Sequence, residues 1–276
     1  MRTDSYTIFV NSCDAFSDCW TPFFRLLDAH WPGTRPPVVL NTETLDWEWK
    51  GTAVKATRVQ RGTTRLTWSE CVLRGIEQVE TPALLYLQDD YFIDSPVRTE
   101  IVEAAVLLLL SRPDVGHVGL TEFGSHGPFE PTEDERFWTI DPRARYRISL
   151  QAGVWRKSSL IRYLRSNENA WMFELYGSLR ARRITERFLT TNREIFRRPL
   201  SAVVAYDHTG IIKGKWHPAM PALFARHGIP MDFSRRGFYR PGPRWEDRVS
   251  TARKLIADPF ALVRALVGYD EKTRKQ

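Results

Sequence analysis

Apolar and polar positions alternate in two rhythms along the first half of the chain. YTIFVNS (6–12) is a short run of β-formers that ends on small polar residues, and AFSDCWTPFFRLLDAHW (15–31) follows with apolar positions at helical spacing. PPVVLNTET (36–44) reads as a second strand. After a loop rich in Gly, Thr and Arg, RLTWSECVLRGIEQVE (65–80) reads as a helix, with Thr67 as N-cap and Glu70 completing a capping box. ALLYLQDDYFI (83–93) follows at once, a buried strand that ends on a glutamine, two adjacent carboxylates and two aromatics. Strand, helix, strand, helix, strand predicts a mostly parallel α/β sheet with helices on both faces.

The second half is less regular. PVRTEIVEAAVLLLLSRPD (96–114) reads as a helix with Pro96 in its first turn and Pro113 after its end, and GHVGLTEF (116–123) as a short strand. Residues 124–143 read as a loop over one face of the sheet, and YRISLQAGVWRK (146–157) as β-rich. SSLIRYLRS (158–166) and WMFELYGSLRARRI (171–184) are helical, with NEN breaking them, and LSAVVAYDH (200–208) reads as a late strand. The basic amphipathic stretch 246–276 reads as a helix and tail packed on the domain, with docking on a membrane surface as the minority reading. No repeat or low-complexity linker divides the chain. The expectation is one domain, 1–276, with a nucleotide-binding half (1–125), an acceptor-side half (126–245) and the C-terminal stretch.

Composition narrows the partners. The net charge of +7 favours phosphate-bearing ligands or an anionic surface. Arginines are nevertheless dispersed and acidic residues occupy the strand ends, which speaks against a nucleic-acid binder. The three cysteines, Cys13, Cys19 and Cys71, have no metal-ligand spacing and form no disulfide framework, so a reducing compartment is expected. No stretch approaches the length of a membrane span, so the expectation is a cytoplasmic protein, with peripheral contact at the inner membrane face left open. Ten tryptophans are an excess that sugar stacking, core packing or interface anchoring would each use.

In a parallel sheet ligands bind beyond the carboxyl ends of the strands. Here those ends carry Ser12 and Asp14, Asn41 to Glu43, Gln88 to Asp90, and His208 onward. Two neighbouring carboxylates at a buried strand end repel each other unless a cation or donor compensates. A divalent ion such as Mn²⁺ or Mg²⁺, completed by substrate phosphates, is one solution; helix capping or pairing with arginine is the other.

This order of elements, with an acidic cluster near residue 90, resembles the nucleotide-binding half of GT-A glycosyltransferases. Their third long strand carries a DXD-type motif whose metal bridges the diphosphate of a sugar nucleotide. The motif reads Gln88-Asp89-Asp90 here, departing from DXD at its first position. The resemblance puts Asp90 in the place of the metal-ligating carboxylate and Asp89 at the ribose or behind the metal. It places NSCDAFSDCW, with Ser12 and Asp14, along the nucleoside, Glu43 at the base or ribose, and Arg65 at the diphosphate.

The resemblance also implies a carboxylate base for the acceptor hydroxyl in the second half. Glu174 in NENAWMFE takes that position, with Trp171 and Phe173 available to desolvate it; Glu168 is the rival and Glu122 a third candidate. IIKGKWHP supplies Lys213, Lys215 and His217, which the resemblance assigns to the diphosphate or, for His217, to the metal. In SRRGFYRPGPR, Arg235, Arg236 and Arg240 read chiefly as surface charge.

The expectation is therefore an inverting glycosyltransferase with a UDP-sugar as the first-choice donor and a glycan or lipid-linked hydroxyl acceptor, serving surface polysaccharide or glycan assembly. Two rivals stand beside it. A sugar-nucleotide nucleotidyltransferase would carry a Gly-rich phosphate loop after its first strand, and NSCDAFSDC has no glycine. A non-catalytic binder of anionic ligands is the other.

Overall fold

The computed structural model describes residues 5–50, 53–207 and 209–242. The C-terminal stretch 246–276 and His208 lie outside the described residues. β1 (Tyr6–Asn11), α1 (Ser17–His30), β2 (Val38–Asn41), β3 (Val54–Ala56), α2 (Trp68–Glu77) and β4 (Ala83–Gln88) open the chain, followed by α3 (Thr99–Ser111) and β5 (Val115–Gly119). Then come β6 (Phe129–Pro131), β7 (Phe137–Ile140), β8 (Gly153–Arg156), α4 (Lys157–Tyr163), α5 (Ala170–Ala181) and β9 (Arg187–Thr191). A small hairpin, β10 (Ile211–Ile212) and β11 (Lys215–Trp216), precedes α6 (Met220–Arg226).

One nine-stranded sheet, in the order β3-β2-β1-β4-β8-β5-β9-β7-β6, runs through both halves. β1 pairs in parallel with β2 and β4, and β5 with β9, whereas β8 runs against β4 and β5 and β7 against β6 and β9. This is the mostly parallel mixed α/β sheet that the sequence predicts. Alternate strand residues feed two apolar layers, because successive side chains leave a strand on opposite faces. Ile8, Val10, Leu85 and Leu87 pack with α1 and α3 on one side; Phe9, Leu84 and Tyr86 pack with α2, α4 and α5 on the other. The Thr67 hydroxyl accepts the Glu70 N–H at 3.2 Å and the Glu70 carboxylate accepts the Thr67 N–H at 2.8 Å, so the predicted capping box starts α2.

Three readings need correction. Residues 200–207 form turns and no strand of the sheet. Val203 and Ala205 offer their carbonyls to Arg98 and Asp94, and Tyr206 makes a single bridge to Ile93, so the apolar run fills the space behind β4 without a ladder. The last strand of the sheet is RFLTT, β9, which the helical reading of the preceding segment obscured. Residues 124–143 contain β6 and β7 in addition to loop. α3 begins at Thr99, with Pro96 ahead of its Arg98 cap.

Candidate active site

The carboxyl ends of β1, β2, β4, β5 and β9 open on one edge of the sheet, and β8 enters from that edge. Beneath it lies a buried polar bridge. Asn41 donates to Asn11 Oδ1 at 3.0 Å and accepts the Thr57 hydroxyl at 2.9 Å. A Cβ on Gly75 of α2 would stand 2.3 Å from Asn41 Oδ1, so only glycine lets that helix come so close.

Gln88, Asp89 and Asp90 follow β4 directly. Asp89 accepts the Ser12 hydroxyl, and the Ser12 oxygen in turn accepts the Trp20 indole N–H at 2.6 Å, which ties the ends of β1 and β4 together. Asp90 accepts the Thr209 hydroxyl and, more loosely, the Ile211 N–H at 3.4 Å. Both carboxylates are buried, at 4% and 6% exposure. Burial, then the charge of Asp90, holds the Asp89 carboxyl well above its ordinary range, against the pull of the Ser12 and Trp20 bonds and Arg236. Burial also raises Asp90, opposed by the bonds from Thr209 and Ile211. Among the described residues neither makes an ion pair, so their mutual repulsion is left largely uncompensated.

The segment after α6 docks on residues 15–18, within electrostatic reach of this pair. Arg236 donates through Nε and Nη2 to both oxygens of Asp18, at 2.7 and 2.5 Å, and its guanidinium lies 4.5 Å from the Phe16 ring centroid. Arg235 reaches Asp18 at 3.7 Å. Arg236 is therefore an anchored, mostly buried cation near the carboxylate pair, contrary to the surface reading of this cluster; Arg235 is half exposed and Arg240 exposed. Trp216 and Gly237 to Tyr239 add backbone bonds that fix the same segment to β11.

Lys213 and Gly214 both take positive φ, 51° and 78°, which makes the β10–β11 turn a tight reversal carrying two exposed lysines. The Lys213 ammonium stands 5.9 Å from the Tyr239 ring. His217 Nδ1 accepts the Ala219 N–H at 3.1 Å, and its backbone N–H reaches Gly210, whose own N–H bonds the Asp90 carbonyl. A neutral ring that accepts at Nδ1 carries its proton on Nε2 and presents a donor there.

Glu174 stands half-buried on α5. Its carboxylate accepts the Leu150 N–H at 2.7 Å and the Ser149 hydroxyl at 3.2 Å. Burial raises its pKa against those two bonds. The Leu150 carbonyl accepts the Tyr91 hydroxyl at 3.1 Å and Gln88 Nε2 at 3.4 Å. The backbone of one residue thus links Glu174 to the turn that holds Asp89 and Asp90. Glu168, the rival base, is locked in a buried bidentate pair with Arg180 at 2.5 and 2.7 Å and has the geometry of a structural ion. Glu122 accepts the Arg198 N–H at 3.2 Å and keeps its other oxygen buried without a partner.

Around the first two strands the expected residues meet, with altered parts. The Asp14 carboxylate accepts N–H bonds from Glu43, Thr44 and Leu45 and the Thr44 hydroxyl; burial pushes it up, but these bonds outweigh burial and lower it overall. Its acceptor capacity is spent on shaping the loop after β2. Glu43 accepts the Asp14 N–H at 3.2 Å and lies 3.8 Å from Arg65, whose side chain is 84% exposed and free to turn toward a ligand. Thr209 was not legible as a site residue, because nothing in its local sequence shows that the fold returns it to Asp90; Trp20 and Tyr91 lie in stretches the sequence singles out, but their bonds to Ser12 and Leu150 were not legible.

Among the described residues no group of three His, Cys, Asp or Glu side chains surrounds a common point. The donors at the strand end are hard oxygens, two carboxylates with the hydroxyls of Ser12 and Thr209 behind them. That set fits a divalent cation held by one or two protein carboxylates and completed by substrate phosphates. Among the described residues no helix is long and apolar enough to cross a membrane.

No protein-family model matches the chain, and no curated protein matches it by sequence. Solved structures similar to it include a mycobacterial protein, 11% identical with a TM-score of 0.45 over 82% of this chain and 76% of that one. S. aureus TarS residues 1–349 is 12% identical with a TM-score of 0.42 over 67% of this chain, which spans only 57% of that fragment. Glucosyl-3-phosphoglycerate synthase from M. tuberculosis is 11% identical with a TM-score of 0.43, over 87% of this chain and 88% of that one. At TM-scores below 0.5, these likenesses carry no chemistry over to this chain.

Proposed function

We propose that this protein is an inverting glycosyltransferase that moves a sugar from a nucleoside-diphosphate donor, a UDP-sugar first, to a hydroxyl of a glycan or lipid-linked acceptor. One observation carries the reading. Two carboxylate groupings of different character are joined through the Leu150 backbone and the side chains of Gln88 and Tyr91: a buried pair at a strand end without an ion-pair partner among the described residues, and a desolvated single carboxylate held by one N–H and one hydroxyl. The first suits a cation and a diphosphate, the second a general base.

In this reading the acceptor oxygen forms a bond to the anomeric carbon as the bond to the diphosphate oxygen breaks. The acceptor proton passes to Glu174, and the nucleoside diphosphate leaves with the bonding pair. Asp90, backed by Asp89, would hold a divalent cation, Mn²⁺ or Mg²⁺, which when bound supplies Lewis-acid stabilisation of the leaving charge. His217 is assigned to the diphosphate instead of the metal, because its Nδ1 already accepts the Ala219 N–H and leaves Nε2 as a donor. Lys213 and Lys215 on the hairpin and Arg65 beside Glu43 are the cations assigned to the phosphates. Glu43 faces the nucleoside, and Asp14 and Ser12 position the two loops that contact it. Use of the donor on the cytoplasmic side, in surface polysaccharide or glycan assembly, is the matching context.

The test is a panel of UDP-, GDP-, TDP- and CMP-sugars read by thermal shift and by donor hydrolysis, with and without Mn²⁺. At a ligand concentration about 100 times Kd, binding adds about 2.7 kcal/mol to stability, enough to move the melting temperature visibly. A panel in which no compound shifts the protein would remove the reading.

A further inference from the structure

A narrow cleft on the same edge, between β5, β8 and β9, has no part in the proposed donor and metal binding. Thr121, Ser125 and Ser149 line it beside Arg193, with His117 and Thr190 contributed by β5 and β9 themselves. It adjoins the proposed base, since Ser149 donates to Glu174. Part of its polar lining is unsatisfied: both His117 ring nitrogens, the Thr190 hydroxyl and Arg193 Nε are buried without a partner, as is Oε2 of Glu122, which lies between two lining residues in sequence. His117 is 3% exposed, and burial pushes its pKa down to about 3, so the ring is neutral.

Glycines keep those atoms uncovered. A Cβ on Gly153 would stand 2.4 Å from His117 Nε2, and one on Gly119 would stand 3.3 Å from the Thr190 hydroxyl. The enclosed space is only about 10 Å³, room for one water-sized group. One hydroxyl fits inside, and the body of any ligand must remain at the mouth.

The lining also decides between an anion and a polyol. Arg193 alone would suit a phosphate, but Glu122 lies within electrostatic reach of it and Glu174 stands behind Ser149, and the hydroxyls of Ser125, Thr121 and Thr190 can both donate and accept. The Phe129 ring is covered by Arg193 at 4.5 Å and steadies that guanidinium, and Phe123 lines the cleft, so an apolar ring stands beside the polar groups. Paired donors and acceptors beside an aromatic ring match a sugar, whereas a dianion would lie near two carboxylates.

We propose that this cleft is the acceptor subsite and takes a neutral saccharide, one hydroxyl of which enters between His117 and Thr190 while the ring rests at Glu122 and Arg193. Its role as acceptor site rests on the glycosyltransferase reading; the binding of a saccharide there does not. Saturation-transfer NMR on the full chain without donor, using methyl glycosides of glucose, galactose, mannose and N-acetylglucosamine against inorganic phosphate and glycerol phosphate, separates the two ligand classes. At least one glycoside should bind, and Thr190→Val and Arg193→Gln should each weaken it by about tenfold, the worth of one lost hydrogen bond of this kind. Gly119→Ala, which narrows the cleft beside Thr190, should do the same while keeping the wild-type thermal shift with nucleotide sugar. Binding of the phosphates alone, of no glycoside, or of a glycoside indifferent to both polar substitutions would overturn the assignment. Failure of the donor reading appears separately, as a missing nucleotide-sugar shift in the unsubstituted protein.

Discussion

Glu174→Gln separates catalysis from architecture at the proposed base. The amide keeps the length of the side chain, and its oxygen still accepts the Leu150 N–H and the Ser149 hydroxyl, bonds of 2.7 and 3.2 Å in the parent. What disappears is the charge that receives the acceptor proton. A positioned general base contributes about 10²- to 10⁴-fold to rate, or about 3–5 kcal/mol in the barrier. Steady-state transfer from the donor found by the panel should therefore fall by that factor, with the thermal shift by the same donor unchanged. In the parent, kcat/KM should rise with pH through an apparent pKa above the usual carboxylate range, because burial raises Glu174. The stability effect has the opposite sense. A carboxyl raised in the folded state contributes stability that is fully present below its unfolded pKa and is lost as pH rises through the folded one. At neutral pH the ionised Glu174 is thus a burden on the fold, and Glu174→Gln should melt at the same or a higher temperature. Retention of more than roughly a third of the parent turnover would refute the base assignment, since no positioned base contributes so little. Parallel loss of donor binding would show that Glu174 belongs to the nucleotide side instead.

Three further outcomes test the frame around it. Asp90→Asn should abolish the Mn²⁺-dependent part of the donor thermal shift while raising the melting temperature of the free protein at neutral pH, because it relieves a buried carboxylate pair; an unaltered Mn²⁺ response would exclude Asp90 as a ligand. Arg236→Ala leaves Asp18 without its bidentate partner at a mostly buried site and should cost about 3 kcal/mol in urea denaturation, and a loss under about 1 kcal/mol would mean that the segment after α6 is held by other contacts. Arg180→Met strands the buried Glu168 and should cost about 3–5 kcal/mol, much of it recovered by adding Glu168→Gln; if the double variant is as unstable as the single one, packing and not charge explains the loss.

Residues with a strong local signal were readable from the chain alone. The apolar runs of β1 and β4, the capping box at Thr67 and the alternation of strand and helix placed the first half of the sheet, because burial on both faces and helix initiation are dictated by neighbours in sequence. In the second half, β9 followed a helix without a turn signal, and the apolar residues 203–206 mimicked a strand although their backbone partners are loop residues 93–98. Hydrophobicity reports that a segment is buried, not which backbone it pairs with.

The same division runs through the candidate site. Sequence by itself determined that two carboxylates end a core strand, that the chain is basic, and that Glu174 lies in a helix after the NEN break; that Asn169 caps this helix is seen only in the structure. Only the tertiary structure decided which carboxylates are spent on protein partners and which remain available to a ligand. Arg180, twelve residues on from Glu168, neutralises that rival, whereas Asp14 is saturated by the loop after β2. Leu150 joins Glu174 to a turn some sixty residues distant from it, and Thr209 returns to Asp90 from 119 residues further along the chain. The reason is physical. A carboxylate's chemistry is set by burial, by donors within about 3 Å and by nearby charge, and those partners come from strand ends that only the folded sheet brings to one edge.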